Sequence, residues 1–153
     1  MNQIPQEIFK AYDIRGVVGK TITVENVEKI GQAVGSEARA RKLSTVAIGR
    51  DGRLSGQELS QALARGIQKS GVDVIDVGMV ATPMLYYAAH ELCQYSGVMV
   101  TGSHNPPEYN GFKAYLADGG QLVAPDDAKI IASIDKISDW NEIPLLKKTE
   151  VDY

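Results

Sequence analysis

The chain has 153 residues, 44% of them hydrophobic, which suits one domain with a sizeable core and leaves no room for a second full one. Sixteen basic against nineteen acidic residues give a net charge of −3, so nothing draws the chain generally to nucleic acid or to an anionic membrane. With one cysteine, Cys93, and two histidines, a disulfide framework and a cysteine zinc knuckle both fall away.

At the amino terminus, MNQIPQEIFK carries no charged-then-apolar signal pattern, and no later apolar run is long enough to span a bilayer. A cytoplasmic protein with no nucleic-acid or membrane partner is therefore expected. After an extended stretch over residues 11–18, Thr23 can cap a helix in which Val24, Val27, Ile30, Val34 and Ala38 recur at helical spacing. Arg39, Arg41 and Lys42 suit its carboxyl end. TVAIG, residues 45–49, is short, β-branched and apolar, as expected of a strand covered on both faces. The loop RDGRLSG follows, in which Ser55 and Glu58 have the spacing of a capping box for a helix whose inner face includes Leu59, Leu63, Gly66 and Ile67, with Gly71 as its stop.

VDVIDVG, residues 72–78, alternates apolar and acidic side chains and predicts a strand that is half wet or near an edge. Thr82 and Pro83 open another helix, with Pro at its first position, running through Met84 to Leu92. GVMVT, residues 97–101, is the next strand. FKAYL and QLVA flank Asp118-Gly119-Gly120, which predicts a hairpin, and a last helix is expected over residues 126–137. Beyond residue 138 the chain turns polar and loses its period, so a domain is placed over 1–138, with 139–153 a linker or the start of a following domain. Alternating helix and strand signals without an internal repeat point to a layered α/β domain.

VMVTGSHNPPEYNGFKAY, residues 98–115, carries the chemistry. An apolar strand ends in Thr-Gly-Ser-His-Asn, two prolines forbid a helix, and a second strand then brings a lysine. An α/β-hydrolase nucleophile needs Gly-x-Ser-x-Gly, but Asn105 stands at the last position, and no P-loop pattern occurs anywhere. What these residues suit is phosphoryl transfer through the Ser103 hydroxyl, a covalent step that splits one difficult exchange into two. Gly102 would let another molecule approach the backbone. A phosphoserine needs cations and donors around it, for which Lys113, Arg15, His104 and Asn105 are candidates. Such chemistry also asks for a divalent ion on carboxylate oxygens, and the chain has no dense carboxylate cluster: Asp126 and Asp127 suit a helix first turn and Asp118 a turn. Plainer readings stand beside these. Arg15 alone could be a surface cation, Arg50 and Asp51 could pair with each other in a strand-to-helix turn, Tyr86 and Tyr87 suit core or helix surface, and Cys93 suits a small buried apolar position.

Four stretches in order, FKAYDIRGVVG (9–19), GRDGRLSG (49–56), DVGMVATPMLYYA (76–88) and TGSHNPPEYNGFK (101–113), resemble the α-D-phosphohexomutase family, nearest its bifunctional bacterial phosphomannomutase/phosphoglucomutase branch. The Ser-His-Asn-Pro loop with its downstream Asn-Gly-x-Lys is the specific match, and the others would be weak alone. The resemblance implies the first of four domains, a mixed β-sheet between helices. It implies that Ser103 is phosphorylated at rest, gives its phosphate to a hexose 1-phosphate or 6-phosphate of mannose or glucose, and recovers one from the hexose 1,6-bisphosphate, which also serves as activator. One phosphoserine oxygen would bind Mg²⁺, whose other protein ligands belong to an aspartate-rich loop of the second domain. His104 and Lys113 would serve proton transfer or electrostatics, Arg15 and Tyr12 would steady the phosphoserine end of the cleft, and Asn105 would orient the loop.

Gly102 stands where many members carry alanine, as in the bifunctional bacterial branch. The metal loop, the sugar-selecting loop and the carboxy-terminal phosphate loop are absent, so the chain reads as a fragment whose partners are a phosphosugar and the remaining domains of the same polypeptide. Alone it is not expected to turn over substrate efficiently. The alternatives are a phosphoglucosamine mutase domain and a non-catalytic phosphosugar-binding module.

Overall fold

The architecture follows from where the apolar runs must be buried. In the computed structural model, which describes residues 4–11, 13–94, 96–115, 120–140 and 143, the β-branched run expected to be covered on both faces forms the middle of the sheet. This strand, β2 (Thr45–Arg50), lies between β4 (Gly97–Val100) and β3 (Asp73–Met79), parallel to both. Antiparallel β5 (Tyr109–Tyr115) flanks β4, and antiparallel β1 (Ile14–Val17) closes the far edge, giving the order β1-β5-β4-β2-β3. The sheet is thus mixed. β3 occupies an edge, and its exposed Asp73 and Asp76 suit a strand that must not pair further.

Alternation along the strands sorts the core into two faces. Val46 and Ile48 of β2, Val98 and Val100 of β4 and Phe112 of β5 are buried with α1 (Val24–Ala40) and α2 (Gly56–Lys69). Ala47, Met99 and Tyr115 face the other way, onto Leu85, Ala89 and Cys93 of α3 (Thr82–Leu92) and the chain just after it. Helices therefore lie on both sides of the sheet. α1 and α2 pack unusually close: a Cβ on Gly66 would overlap the Glu28 carbonyl, and one on Gly31 the Leu63 carbonyl. α4 (Asp126–Asp135) is two residues shorter than the periodicity suggests. No helix among the described residues is long and apolar enough to cross a membrane.

Local signals held where they were self-contained. Thr23 caps α1 by accepting from the Asn26 amide at 3.2 Å, and Gly71 takes φ +77° just past α2. Others yielded to tertiary partners. Ser55 makes no side-chain cap; its Oγ instead accepts from Nδ2 of buried Asn110 at 3.0 Å. Pro83 is the second helical residue, after Thr82. Of the expected hairpin, the described residues show a Tyr115–Gln121 bridge and a Leu122 amide bond to the Ala114 carbonyl, while Leu116, Asp118 and Gly119 lie outside them. Beyond the expected boundary at residue 138, Trp140 and Ile143 are buried, and Trp140 stacks on Phe9 with ring centroids 6.3 Å apart.

Candidate functional site

Topology places the site before any side chain is considered. From β3 the chain must cross over β2 to reach β4, so α2 and α3, serving right-handed crossovers in opposite directions, fall on opposite faces. β2 and β4 are neighbouring parallel strands, so the loops leaving their carboxyl ends lie side by side, at the strand ends outside which open α/β sheets bind ligands. Here those loops are RDGRLSG and TGSHNPP. A cleft of about 590 Å³ opens between them, lined among others by Asp51, Arg53, Leu54, Ser103 and Asn105.

Ser103 is exposed and sits in the left-handed region at φ +51°, a conformation that costs a non-glycine residue about 1–3 kcal/mol. Side chains hold both of its backbone groups. Its amide donates to Thr101 Oγ1 at 3.0 Å, and its carbonyl accepts from Arg53 Nη2 at 3.3 Å. Thr101 Oγ1 in turn donates to Asp51 Oδ2 at 2.8 Å, an oxygen that also accepts from the Gly102 amide at 3.2 Å. Asn105 closes the turn, its amide and its Nδ2 each donating to the Gly102 carbonyl at 2.9 Å. His104 is exposed beside it.

Arg53 is the hub. Nη1 donates to the Pro106 and Tyr109 carbonyls at 2.9 and 3.1 Å, Nη2 reaches the Asn105 carbonyl at 2.7 Å as well as that of Ser103, and Nε lies 3.4 Å from Asp51 Oδ2. The expected Arg50–Asp51 pair is therefore corrected: Asp51 pairs with Arg53, while Arg50 lies 3.9 Å from Asp76 on β3. The room at Gly102 is also used differently from expectation. A Cβ there would overlap the Arg53 guanidinium, so the group that approaches this backbone belongs to the same chain.

The register gathers the cations. Lys113 is opposite Met99 and Arg15 opposite Gly111, so both side chains leave the sheet on the α3 face, near the strand end from which the Ser103 loop departs. α3 packs on β2 and β4, and the cations stand on the neighbouring β5 and β1. Lys113 is half-buried, and Arg15 is 42% exposed with Nε 3.3 Å from Asp13 Oδ1. Tyr12 lies outside the described residues. No group of three or more acidic, histidine or cysteine side chains placed to hold a metal occurs among the described residues. The nearby Asp51 already receives two donors and a guanidinium on one oxygen, and the Arg53 amide at 3.0 Å on the other. The fit to Mg²⁺ is thus limited to one oxygen on a phosphorylated Ser103.

Residues 6–140 match the family model described as phosphoglucomutase/phosphomannomutase, alpha/beta/alpha domain I. The chain belongs to this family, as its domain I. The domain is 54% identical over 134 residues to a phosphoglucomutase of Neisseria meningitidis, covering 88% of this chain and 29% of that protein. It is 60% identical over 128 residues to a phosphomannomutase/phosphoglucomutase of Pseudomonas aeruginosa, covering 84% and 27%. A solved phosphoglucomutase/phosphomannomutase family protein from Burkholderia thailandensis superposes with a TM-score of 0.76 at 47% identity, over 87% of this domain and 31% of that chain. The chain thus spans a little under a third of the length of these relatives. Domain I brings Ser103, His104 and Asn105 into one loop and puts Arg15 and Lys113 on one sheet face. Sequence reasoning left unassigned the Asp51–Arg53–Thr101 support, whose partners lie 50 to 56 residues apart along the chain and leave no local spacing to notice.

Proposed function

We propose that this domain carries the transferable phosphate of a phosphohexomutase that interconverts hexose 1-phosphate and hexose 6-phosphate of mannose and glucose through a hexose 1,6-bisphosphate. The observation that carries the reading is Ser103: an exposed residue, held at φ +51° in the loop leaving the carboxyl end of β4, with Arg15 and Lys113 sharing one face of the sheet near that end. In the forward step the bond between phosphorus and Ser103 Oγ breaks as a sugar hydroxyl oxygen bonds to phosphorus. The hydroxyl proton passes to a base, and Oγ takes a proton or is met by a positive charge as it leaves. His104 and Lys113 are the groups proposed for these proton and charge roles. Arg15 and Tyr12 would steady the phosphate end of the cleft, and Asn105, which already closes the turn, would keep the loop in shape. Return of the sugar's other phosphate to Ser103 restores the domain.

Mg²⁺, when bound, would neutralise charge developing on the transferred group. This chain would offer it one phosphoserine oxygen, with the remaining ligands coming from other domains of the same polypeptide. Names of relatives with glucose and mannose specificity favour this reading over the phosphoglucosamine mutase alternative.

The test is peptide mapping by mass spectrometry of the full-length protein after incubation with Mg²⁺ and glucose 1,6-bisphosphate, followed by challenge with mannose 1-phosphate or glucose 1-phosphate. One phosphate on Ser103 that leaves on challenge is the expected result. A folded full-length protein in which Ser103 stays unmodified throughout would overturn the carrier role and favour a binding module.

A further inference from the structure

The Arg53 guanidinium has five N–H donors, and the structure directs all of them inward: four to the carbonyls of Ser103, Asn105, Pro106 and Tyr109, and Nε toward Asp51. A cation beside a phosphate-bearing loop would ordinarily be taken for a phosphate ligand. Arg53 has no donor left for one. Its side chain is only 17% exposed, and its partners are main-chain oxygens spread over seven residues of the loop and the start of β5.

Asp51 completes the arrangement from the other side. Through Thr101 Oγ1 it fixes the Ser103 amide, and Arg53 fixes the Ser103 carbonyl. With both ends of one residue held, rotation about the Ser103 N–Cα bond is restricted, and so is the direction in which Cβ and Oγ project. The Asp51 charge does not oppose a phosphate, because Arg53 and the donors of Thr101, Gly102 and Arg53 itself engage it.

We infer that Asp51, Arg53 and Thr101 form a positioning clamp that sets the orientation of the Ser103 hydroxyl for transfer, and that Arg53 acts through loop carbonyls instead of touching substrate. This rests on the reading of Ser103 as the phosphate carrier. The planar fork is essential to it: a lysine ammonium has the charge but cannot reach four carbonyls at once.

The decisive variant is Arg53→Lys in the full-length protein, compared with wild type by kcat and KM, by phosphate occupancy of Ser103, by Tm, and by amide exchange of loop residues 103–111. The expected result is a fall in kcat of about 100-fold, the scale of a small misplacement of a reacting group, with KM for the hexose phosphate little changed and Tm nearly retained. Amide exchange across the loop should quicken about tenfold, since each charge-assisted bond lost is worth that much or more. A kcat close to wild type in Arg53→Lys, or a loss confined to KM, would overturn the clamp, because charge alone or substrate contact would then account for Arg53. Should Arg53→Lys fail to fold, Thr101→Val decides: it removes the link to the Ser103 amide, and an unchanged kcat there refutes the inference. Wild-type protein that takes no phosphate on Ser103 would sink the carrier reading instead, and the clamp would stand or fall on the loop exchange rates alone.

Discussion

Replacing Gly66 with alanine tests how α1 and α2 are held together. The added methyl would overlap the Glu28 carbonyl oxygen and lie 2.8 Å from both the Gln32 nitrogen and the Gly31 Cα. All three are main-chain atoms of α1, so no side chain can turn aside to make room. Carbon atoms pack comfortably at about 3.5–4.0 Å, so the helices must part by roughly 1 Å. Parting unseats Val27 and Ile30 from Leu63 and Ile67, all of them buried in the same core. Overpacking costs about 1–3 kcal/mol, and a clash with main-chain atoms belongs in the upper part of that range, about 2–3 kcal/mol, of which alanine's helical preference over glycine offsets about 1 kcal/mol. A net loss of about 1–2 kcal/mol is expected, or a Tm lower by roughly 2–8 °C for a domain of this size. Thermal and urea unfolding followed by circular dichroism supply the measurement. Gly56→Ala is the control, since its methyl would meet nothing nearer than 3.4 Å. A Gly66→Ala protein as stable as wild type, or more so, would refute the close-contact reasoning.

Two further predictions concern groups whose ionisation the fold has moved. The Lys69 ammonium, and beside it the Arg65 guanidinium with Nε 3.2 Å away, hold Glu28 below its usual range against the opposing effect of burial. A lowered carboxylate stabilises the fold above its unfolded pKa and ceases to as pH falls through the folded one. Glu28→Gln should thus cost about 0.5–1 kcal/mol at neutral pH, a value already reduced for solvent screening, and the gap to wild type should close below about pH 4. Urea titrations at neutral and acid pH check it, and a gap that widens in acid would reverse the argument. Burial pushes the Cys93 thiol up, and the residue is 1% exposed, so native protein should alkylate with iodoacetamide far more slowly than urea-unfolded protein. Equal rates would contradict its place under α3.

How much of this could be read from the chain depended on how far each residue's partners lie along it. The β2 run, the Thr23 cap and the Gly71 stop answer to neighbours within a few positions, and they appear where the residues say. Ser55 carries an equally good local signal and disobeys it, because Asn110, buried at the start of β5, takes its hydroxyl. Arg50 likewise turns from adjacent Asp51 to Asp76 on the next strand. At the candidate site, the Ser103 loop stands out in the sequence because its unusual residues are contiguous. Its support does not: nothing in GRDGRLSG announces that the second arginine will bind carbonyls some fifty residues onward.

The sheet divides the site by mechanical stiffness. Ser103 hangs from β4, a strand paired on both sides with every residue buried, and its loop is tied to Asp51 just past β2, a strand also paired on both sides. Arg15 is carried by β1, a four-residue edge strand with a single neighbour. Opening free energies fall from the centre of a fold toward its margins. Ser103 is therefore anchored to the part of the domain that opens last, while Arg15 rides on a part that can yield. On the proposed reading, a cleft built this way would adjust its grip from one sugar phosphate to another, and between the two ends of a bisphosphate, without disturbing the aim of the serine.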